Sequence, residues 1–330
     1  MIDFTELIDL AAERLGGAVL AANDEFFAPK ENLLKASKPT FVEDKYTDVG
    51  KWMDGWETRR RRTPGFDWCI VRLGLPGIIR GLVVDTSHFK GNYPEHCSLE
   101  ACAADGNPDV AWLTSPRAQW IEILPQSRLR GDSENRFGIQ TQSRLTHLRF
   151  NILPDGGVAR LRVYGEVVPD WAKLGTEVDL AAVESGGLVL ASSDMFFGSR
   201  HNLIMPGRAA SMSDGWETRR RRGPGHDWVV IKLGAPGTIR RLEVDTSHFK
   251  GNFPESCSLE ACAAPGGELD EAALPSSPWT EVLPRTKLEA DTRHFFEKEL
   301  NDASRTTHVR FNIFPDGGVA RLRIFGTVSR

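Results

Sequence analysis

The sequence predicts an all-β protein made of two tandem jelly-roll-like β-sandwich domains with few short helices. Internal repetition is the first observation behind that prediction. Asp54-Gly55-Trp56-Glu57-Thr58-Arg59-Arg60-Arg61-Arg62 returns unchanged from Asp214 to Arg222. Asp85 through Asn92 returns from Asp245 to Asn252, and Pro154 through Arg162 returns from Pro315 to Arg323. The copies lie 160 or 161 positions apart, and a period of that length means one folding unit used twice. The second observation is alternation. In His147-Leu148-Arg149-Phe150-Asn151-Ile152, repeated at His308 to Ile313, polar and apolar residues alternate with the period of a half-buried strand. Frequent Gly and Pro turn signals between such runs are the third, and they favour a sandwich.

Taken in order, Thr5 to Leu15 carries the one helical spacing, with Ile8, Ala12 and Leu15 on one face. Strands follow at Asp67 to Leu73, His147 to Ile152 and Arg160 to Gly165, with Leu148, Phe150 and Ile152 facing the core. Pro154-Asp155-Gly156-Gly157 supplies the positive φ angles of a turn between strands. The 330 residues divide as a first unit over 1–167, a link at 168–173 and a second unit over 174–330, each unit long enough to bury its own core. The units are unequal. Asp9 to Phe27 matches Asp179 to Phe197 at a separation of 170, so the first copy holds about ten extra residues between Leu33 and Asp54. Tyr46, Lys51 and Trp52 lie there and have no counterparts.

The formal charge of −4 and a pI near 6.1 speak against a nucleic-acid partner, which requires a basic excess. The N-terminal residues lack a basic start followed by an apolar stretch, and no apolar run approaches the roughly 20 residues of a membrane span. A soluble, cytoplasmic protein without a membrane partner is therefore expected. Of five cysteines, Cys97 and Cys102 are matched by Cys257 and Cys262, while Cys69 gives way to Val229, an exchange that suits a buried thiol. His88 has no histidine three or four residues away, and Cys97 and Cys102 fall on opposite faces of a strand, so no metal site is expected. Neither a glycine-rich nucleotide loop nor a Gly-x-Ser-x-Gly elbow is present.

The repeated blocks supply the candidate site. Asp54 and Glu57 stand beside four adjacent arginines, whose mutual repulsion requires carboxylates or an anionic ligand. The run is either a salt-bridged strand end or a guanidinium fork for a carboxylate. Trp56 and Trp216 either pack in the core or stack on a flat ligand. If their segment is extended, His88 and Lys90 project from one face, with Asn92 nearby, as a polar rim able to move protons and hold an anion. Alternatively, Asp85 satisfies the histidine and the lysine is solvated. Asp155 is either a turn residue or part of the same rim as Arg160 and Arg162, which share a strand face and could join His147, Arg149 and Asn151.

Lys51 through Arg62, Asp85 through Asn92 and Asn151 through Arg160 together resemble the allantoicase (allantoate amidinohydrolase) family, and the resemblance extends over nearly the whole chain. It implies two galactose-binding-like jelly-roll domains, hydrolysis of allantoate to ureidoglycolate and urea in purine (allantoin) degradation, and assembly into homo-oligomers. Allantoate carries a carboxylate and two ureido groups on one carbon, so its recognition needs cationic donors together with carboxylate and amide acceptors. On that reading the catalytic candidates are Asp54, Glu57 and His88 with their copies Asp214, Glu217 and His248. The substrate-binding candidates are Arg59, Arg60, Arg61, Arg62, Lys90, Asn92, Asp155 and Arg160, with Arg219, Arg220, Arg221, Arg222, Lys250, Asn252, Asp316 and Arg321. No cofactor is expected, and the sequence leaves divalent-cation dependence open. The competing reading is a non-catalytic carbohydrate- or small-anion-binding tandem sandwich.

Overall fold

The computed structural model describes residues 3–104, 106–264, 277–303 and 305–329. The chain divides into two compact units, Met1–Val168 and Pro169–Arg330. In the first unit the strands are β1 (Ile8–Asp9), β2 (Ala18–Ala22), β3 (Tyr46–Thr47), β4 (Gly50–Lys51), β5 (Trp56–Glu57), β6 (Asp67–Asp85), β7 (His96–Cys102), β8 (Ile121–Arg128), β9 (Glu134–Gly138), β10 (Leu145–Leu153), β11 (Gly157–Val158) and β12 (Arg160–Val167). The second unit repeats the plan with β13 (Val178–Asp179), β14 (Leu188–Ser192), β15 (Trp216–Glu217), β16 (Asp227–Asp245), β17 (Ser256–Cys262), β18 (Thr280–Lys287), β19 (Arg293–Phe296), β20 (Thr306–Phe314), β21 (Gly318–Val319) and β22 (Arg321–Val328). Among the described residues the one α-helix is Val110–Leu113, a single turn capped by Asp109.

The long strand β6 organises the first sandwich. Its first half pairs antiparallel with β10 and β2, and its second half with β12 and β9, so one strand serves both layers. The β10 ladder breaks between Arg72 and Gly77, which is where the pairing changes hands. The full path runs β1-β12-β6-β10-β7-β8, and β16 occupies the same place in the second unit. Cys69, Val71, Leu82, Val84, Leu99, Leu148, Phe150, Ile152 and Leu161 fill the core and are completely buried. All five cysteines are free and buried, and Cys69 and Val229 occupy equally dry positions.

Two expectations fail. Thr5 to Leu15 is not a helix: 3₁₀ turns at Phe4–Glu6 and Glu13–Leu15 flank β1. The Leu10 amide donates to Val163 O at 2.7 Å, and an eleven-residue segment is too short for helix propagation to outweigh such sheet bonds. Nor do Arg160 and Arg162 share a rim with His147, Arg149 and Asn151. β12 pairs with residues 77–85 of β6 while β10 pairs mainly with residues 67–72, so the two groups sit at opposite ends of the long strand. On the polar side of β10, His147 and Asn151 are buried and the half-buried Arg149 is paired to Glu100 at 2.5 Å.

Candidate active site

The three repeated blocks meet in space. β5 pairs with β11, with Gly157 opposite Glu57 and Val158 opposite Trp56, which joins the first block to the third. The second block is tied in by the Gly157 amide, which donates to Asn92 O at 2.8 Å. Phe89 lies beneath the junction, and a Cβ on Gly157 would meet its ring at 2.0 Å, so only glycine fits there. Gly318 and Phe249 repeat the arrangement at 1.9 Å.

Much of the charge in these blocks is spent internally. Asp54 and Arg160 form a buried ion pair at 2.7 Å, and Arg160 also donates to Ser37 O, Asp54 O and Ala159 O. Burial pushes the Asp54 carboxyl up, but the Arg160 bond, the Thr40 amide and the charges of Arg160 and Lys35 outweigh it and hold it below the ordinary range. Arg321 pairs with Asp214 in the same way at 2.8 Å. The arginine run alternates. Arg59 pairs with Asp24 and Arg61 with Asp67, each at 2.6 Å, while Arg60 and Arg62 point outward with no ion-pair partner among the described residues. Arg219 and Arg221 pair likewise with Asp194 and Asp227, and Arg222 is exposed. Asp155 and Asp316 accept from the Arg61 and Arg221 amides at 2.9 and 2.8 Å, which fixes the loop path. Trp56 is fully buried, and its indole N–H donates to Asp24 O at 2.8 Å, which excludes a ligand-stacking role.

What stays open is a pocket of about 450 Å³ beside Glu57, walled by Phe27, Phe41, Met53 and Lys51 and rimmed by His88, Lys90, Gly91 and Asn92. The Glu57 carboxylate accepts from the Asn92 amide at 2.7 Å. Burial raises its pKa, and the Asn92 hydrogen bond opposes that rise only in part. His88 is not in an extended segment. Its φ is 70°, held by its own amide donating to Asp132 at 2.8 Å, so the parity argument for His88 and Lys90 does not apply. Nor does Asp85 satisfy the ring, whose hydrogen-bond contact is with Pro39 O, while the Asp85 carboxylate takes the Ser87 amide. The imidazole stacks on Phe41 at 5.7 Å with Nε2 3.3 Å from Pro39 O, a contact that requires the proton on Nε2 and leaves Nδ1 as the basic nitrogen. Lys90 is 79% exposed and 4.0 Å from Asp132.

The second repeat builds a different pocket, about 750 Å³, lined by Glu217, Asn252, Arg220, Lys287 and Asp316. Asn252 again donates to Glu217. His248 contacts Ala209 O at 2.9 Å, and neither it nor Lys250 is among the residues lining this pocket; Lys250 is 4.0 Å from Asp291. Phe41, Met53, Lys51 and Phe27 were not among the candidates read from sequence. For Lys51 the missing counterpart in the second copy was a usable signal; for the apolar wall residues there was none. Among the described residues no cluster of three His, Cys, Asp or Glu side chains is placed to hold a metal ion. No helix among them is long and apolar enough to cross a membrane.

Fold and pocket define a tandem β-sandwich protein with a pocket whose apolar wall carries a carboxylate, two lysines and an imidazole, sized for a small molecule. The chain matches the allantoicase repeat model twice, over residues 8–168 and 178–329. It is 50% identical to a probable allantoicase of Pseudomonas aeruginosa over 98% of this chain and 97% of the relative. It is 50% identical to an allantoicase of Dictyostelium discoideum over 97% and 87%. The crystal structure of allantoicase from Saccharomyces cerevisiae superposes with a TM-score of 0.81 at 36% identity, covering 97% of this chain and 92% of that one. The chain belongs to the allantoicase family.

Proposed function

We propose that the first-repeat pocket is where this chain hydrolyses allantoate. The activity follows from the family: allantoate and water give ureidoglycolate and urea in purine degradation. The observation that carries the assignment to this pocket is Glu57, a carboxyl whose pKa burial has raised, set among cationic and amide donors that suit a ureido acid.

In this reading Glu57 is the acid: its protonated form, which burial favours, gives its proton to one ureido nitrogen of allantoate as the bond from that nitrogen to the central carbon breaks, and urea leaves. The lone pair of the remaining ureido nitrogen fills the carbon's deficit as a C=N bond. Water then adds to the carbon, the C–N π electrons return to nitrogen, and the water proton restores Glu57, directly or through Nδ1 of His88. The atoms balance, and the acid is regenerated in each cycle. Such acid–base assistance contributes typically about 10²–10⁴-fold. Asn92 orients Glu57 through its amide. Asp54 and Arg160 act at one remove as positioning residues, since Asp54 holds the Thr40 amide and Arg160 holds Ser37 O, fixing the segment that carries Pro39 and Phe41.

Urea and ureidoglycolate in equal amounts from allantoate, alongside no retention on a glycan array, is the expected result for the purified chain. Glycan binding without urea release would favour the carbohydrate-binding alternative. Homo-oligomeric assembly and a cytoplasmic location belong to the same proposal and rest on the family. Sedimentation at the mass of a single chain would reject the first, and recovery from a non-cytoplasmic fraction would reject the second.

A further inference from the structure

We infer that Lys51 binds the carboxylate of the substrate, and that the insertion found only in the first repeat is what delivers it to the pocket. The inference rests on the assignment of the first-repeat pocket made above. The structure localises the insertion. His88 contacts Pro39 O and His248 contacts Ala209 O, and the Thr40 and Ala210 amides donate to Asp54 and Asp214. The separation is thus still 170 at Thr40 and has become 160 at Asp54, so the extra residues fall between those two positions. They form the β3–β4 hairpin, in which Tyr46 is paired with Lys51. In the second repeat a 3₁₀ turn at Met212–Asp214 closes the same gap, and no lysine is delivered.

Lys51 is half-buried and lines the pocket. Its ammonium lies 5.0 Å from the Phe41 ring centroid and 4.9 Å from that of Tyr46. Among the described residues no carboxylate lies within ion-pair distance of it, whereas Lys35 has Asp54 at 3.4 Å and Lys90 has Asp132 at 4.0 Å. Aromatic faces hold a cation in place without cancelling its charge, so the site is built around a positive group that still lacks an anion. The same Phe41 ring stacks on His88, which places ammonium and imidazole against one shared side chain. Of the neighbouring guanidinium groups, Arg160 is committed to Asp54, Arg59 to Asp24 and Arg61 to Asp67, while the exposed Arg60 and Arg62 are not among the residues lining the pocket. A ureido acid entering the pocket would therefore meet Lys51 with its carboxylate and Glu57 with a ureido nitrogen. This arrangement separates the charged end of the substrate from the bond that breaks.

The test is steady-state urea release from allantoate by the full chain with Lys51→Met and Lys51→Arg. Loss of one charge-assisted contact should raise KM about 10- to 100-fold in Lys51→Met, with kcat changed by less than about threefold. Lys51→Arg keeps the cation and should recover most of the KM, which also separates lost charge from a damaged hairpin. The methyl ester of allantoate, which lacks the anion, should show the same KM with wild type and Lys51→Met. An unchanged KM for allantoate in Lys51→Met, or an equal penalty on the ester, would overturn the inference. Glu57→Gln in the same assay separates the two claims. A wild-type KM in Lys51→Met beside an inactive Glu57→Gln overturns the Lys51 role and leaves the pocket standing. Near-normal turnover in Glu57→Gln overturns the pocket assignment and the Lys51 role with it.

Discussion

Replacing Arg160 with methionine should cost the first repeat about 3–5 kcal/mol, the range for removing one partner of a buried ion pair. Arg160 is 2% exposed and gives four hydrogen bonds, to Ser37 O, Asp54 O, Ala159 O and Asp54 Oδ2. Methionine keeps most of the apolar stem, so the loss reports the guanidinium rather than a cavity. Asp54 would then remain buried with only Lys35 at 3.4 Å, the Thr40 amide at 3.1 Å and the Thr40 hydroxyl. The folded-state pKa of Asp54 is depressed, so its stabilisation is present above its unfolded value and is lost as pH falls through the folded one. In Arg160→Met that acid-labile part should be missing. The assay is urea denaturation of wild type, Asp54→Asn, Arg160→Met and the double variant at neutral pH. Coupling of roughly 2–3 kcal/mol is expected, with the double variant less damaged than the sum of the single ones. Arg160→Met within about 1 kcal/mol of wild type, or strictly additive losses, would refute the argument that the pair is a buried strut.

Two further stability predictions rest on other contacts. His147 is buried beside Arg72, with Nδ1 against the Thr146 hydroxyl at 2.9 Å and Nε2 without a hydrogen-bond partner among the described residues; burial first, and then the Arg72 charge, bring its pKa down to about 4. The unfolded chain then binds more protons than the folded one between pH 6.5 and 4. About 3 kcal/mol of stability should vanish across that window, and a pH–stability curve of His147→Gln should lack that part of the slope. A curve identical to wild type would show that this group is not held neutral. Gly157→Ala places a methyl group 2.0 Å from the Phe89 ring, so thermal unfolding should show a loss of about 1–3 kcal/mol. Phe89→Leu in the same chain should recover part of it, and an unaffected Gly157→Ala would mean that Phe89 does not pack as described.

The two-unit plan was legible because the duplication repeats surface charge and core residues together. The strands around Leu148, Phe150 and Ile152 were legible because alternation at period two survives even where most of the polar face is buried as well. The helical spacing at Thr5 to Leu15 misled, since the partners that decide the matter, Val163 and Gly165, lie more than 150 residues away. The arginine run could not be divided in advance. Asp24 stands 35 residues from Arg59 and Asp67 only 6 from Arg61, and nothing in the run itself says which side chains turn inward. Parity failed at His88 because a single residue at φ 70° reorients the segment. The pocket wall was invisible for a related reason: Phe41 and Lys51 meet His88 and Glu57 only through a hairpin whose fold the sequence did not suggest.

Turnover of Glu57→Gln and Glu217→Gln, measured side by side as urea release from allantoate, tests the assignment most directly. Glu57→Gln should stay folded and lose on the order of 10²-fold or more in kcat, while Glu217→Gln should lose less than about tenfold. Near-normal turnover in Glu57→Gln, or the larger loss in Glu217→Gln, would contradict the assignment.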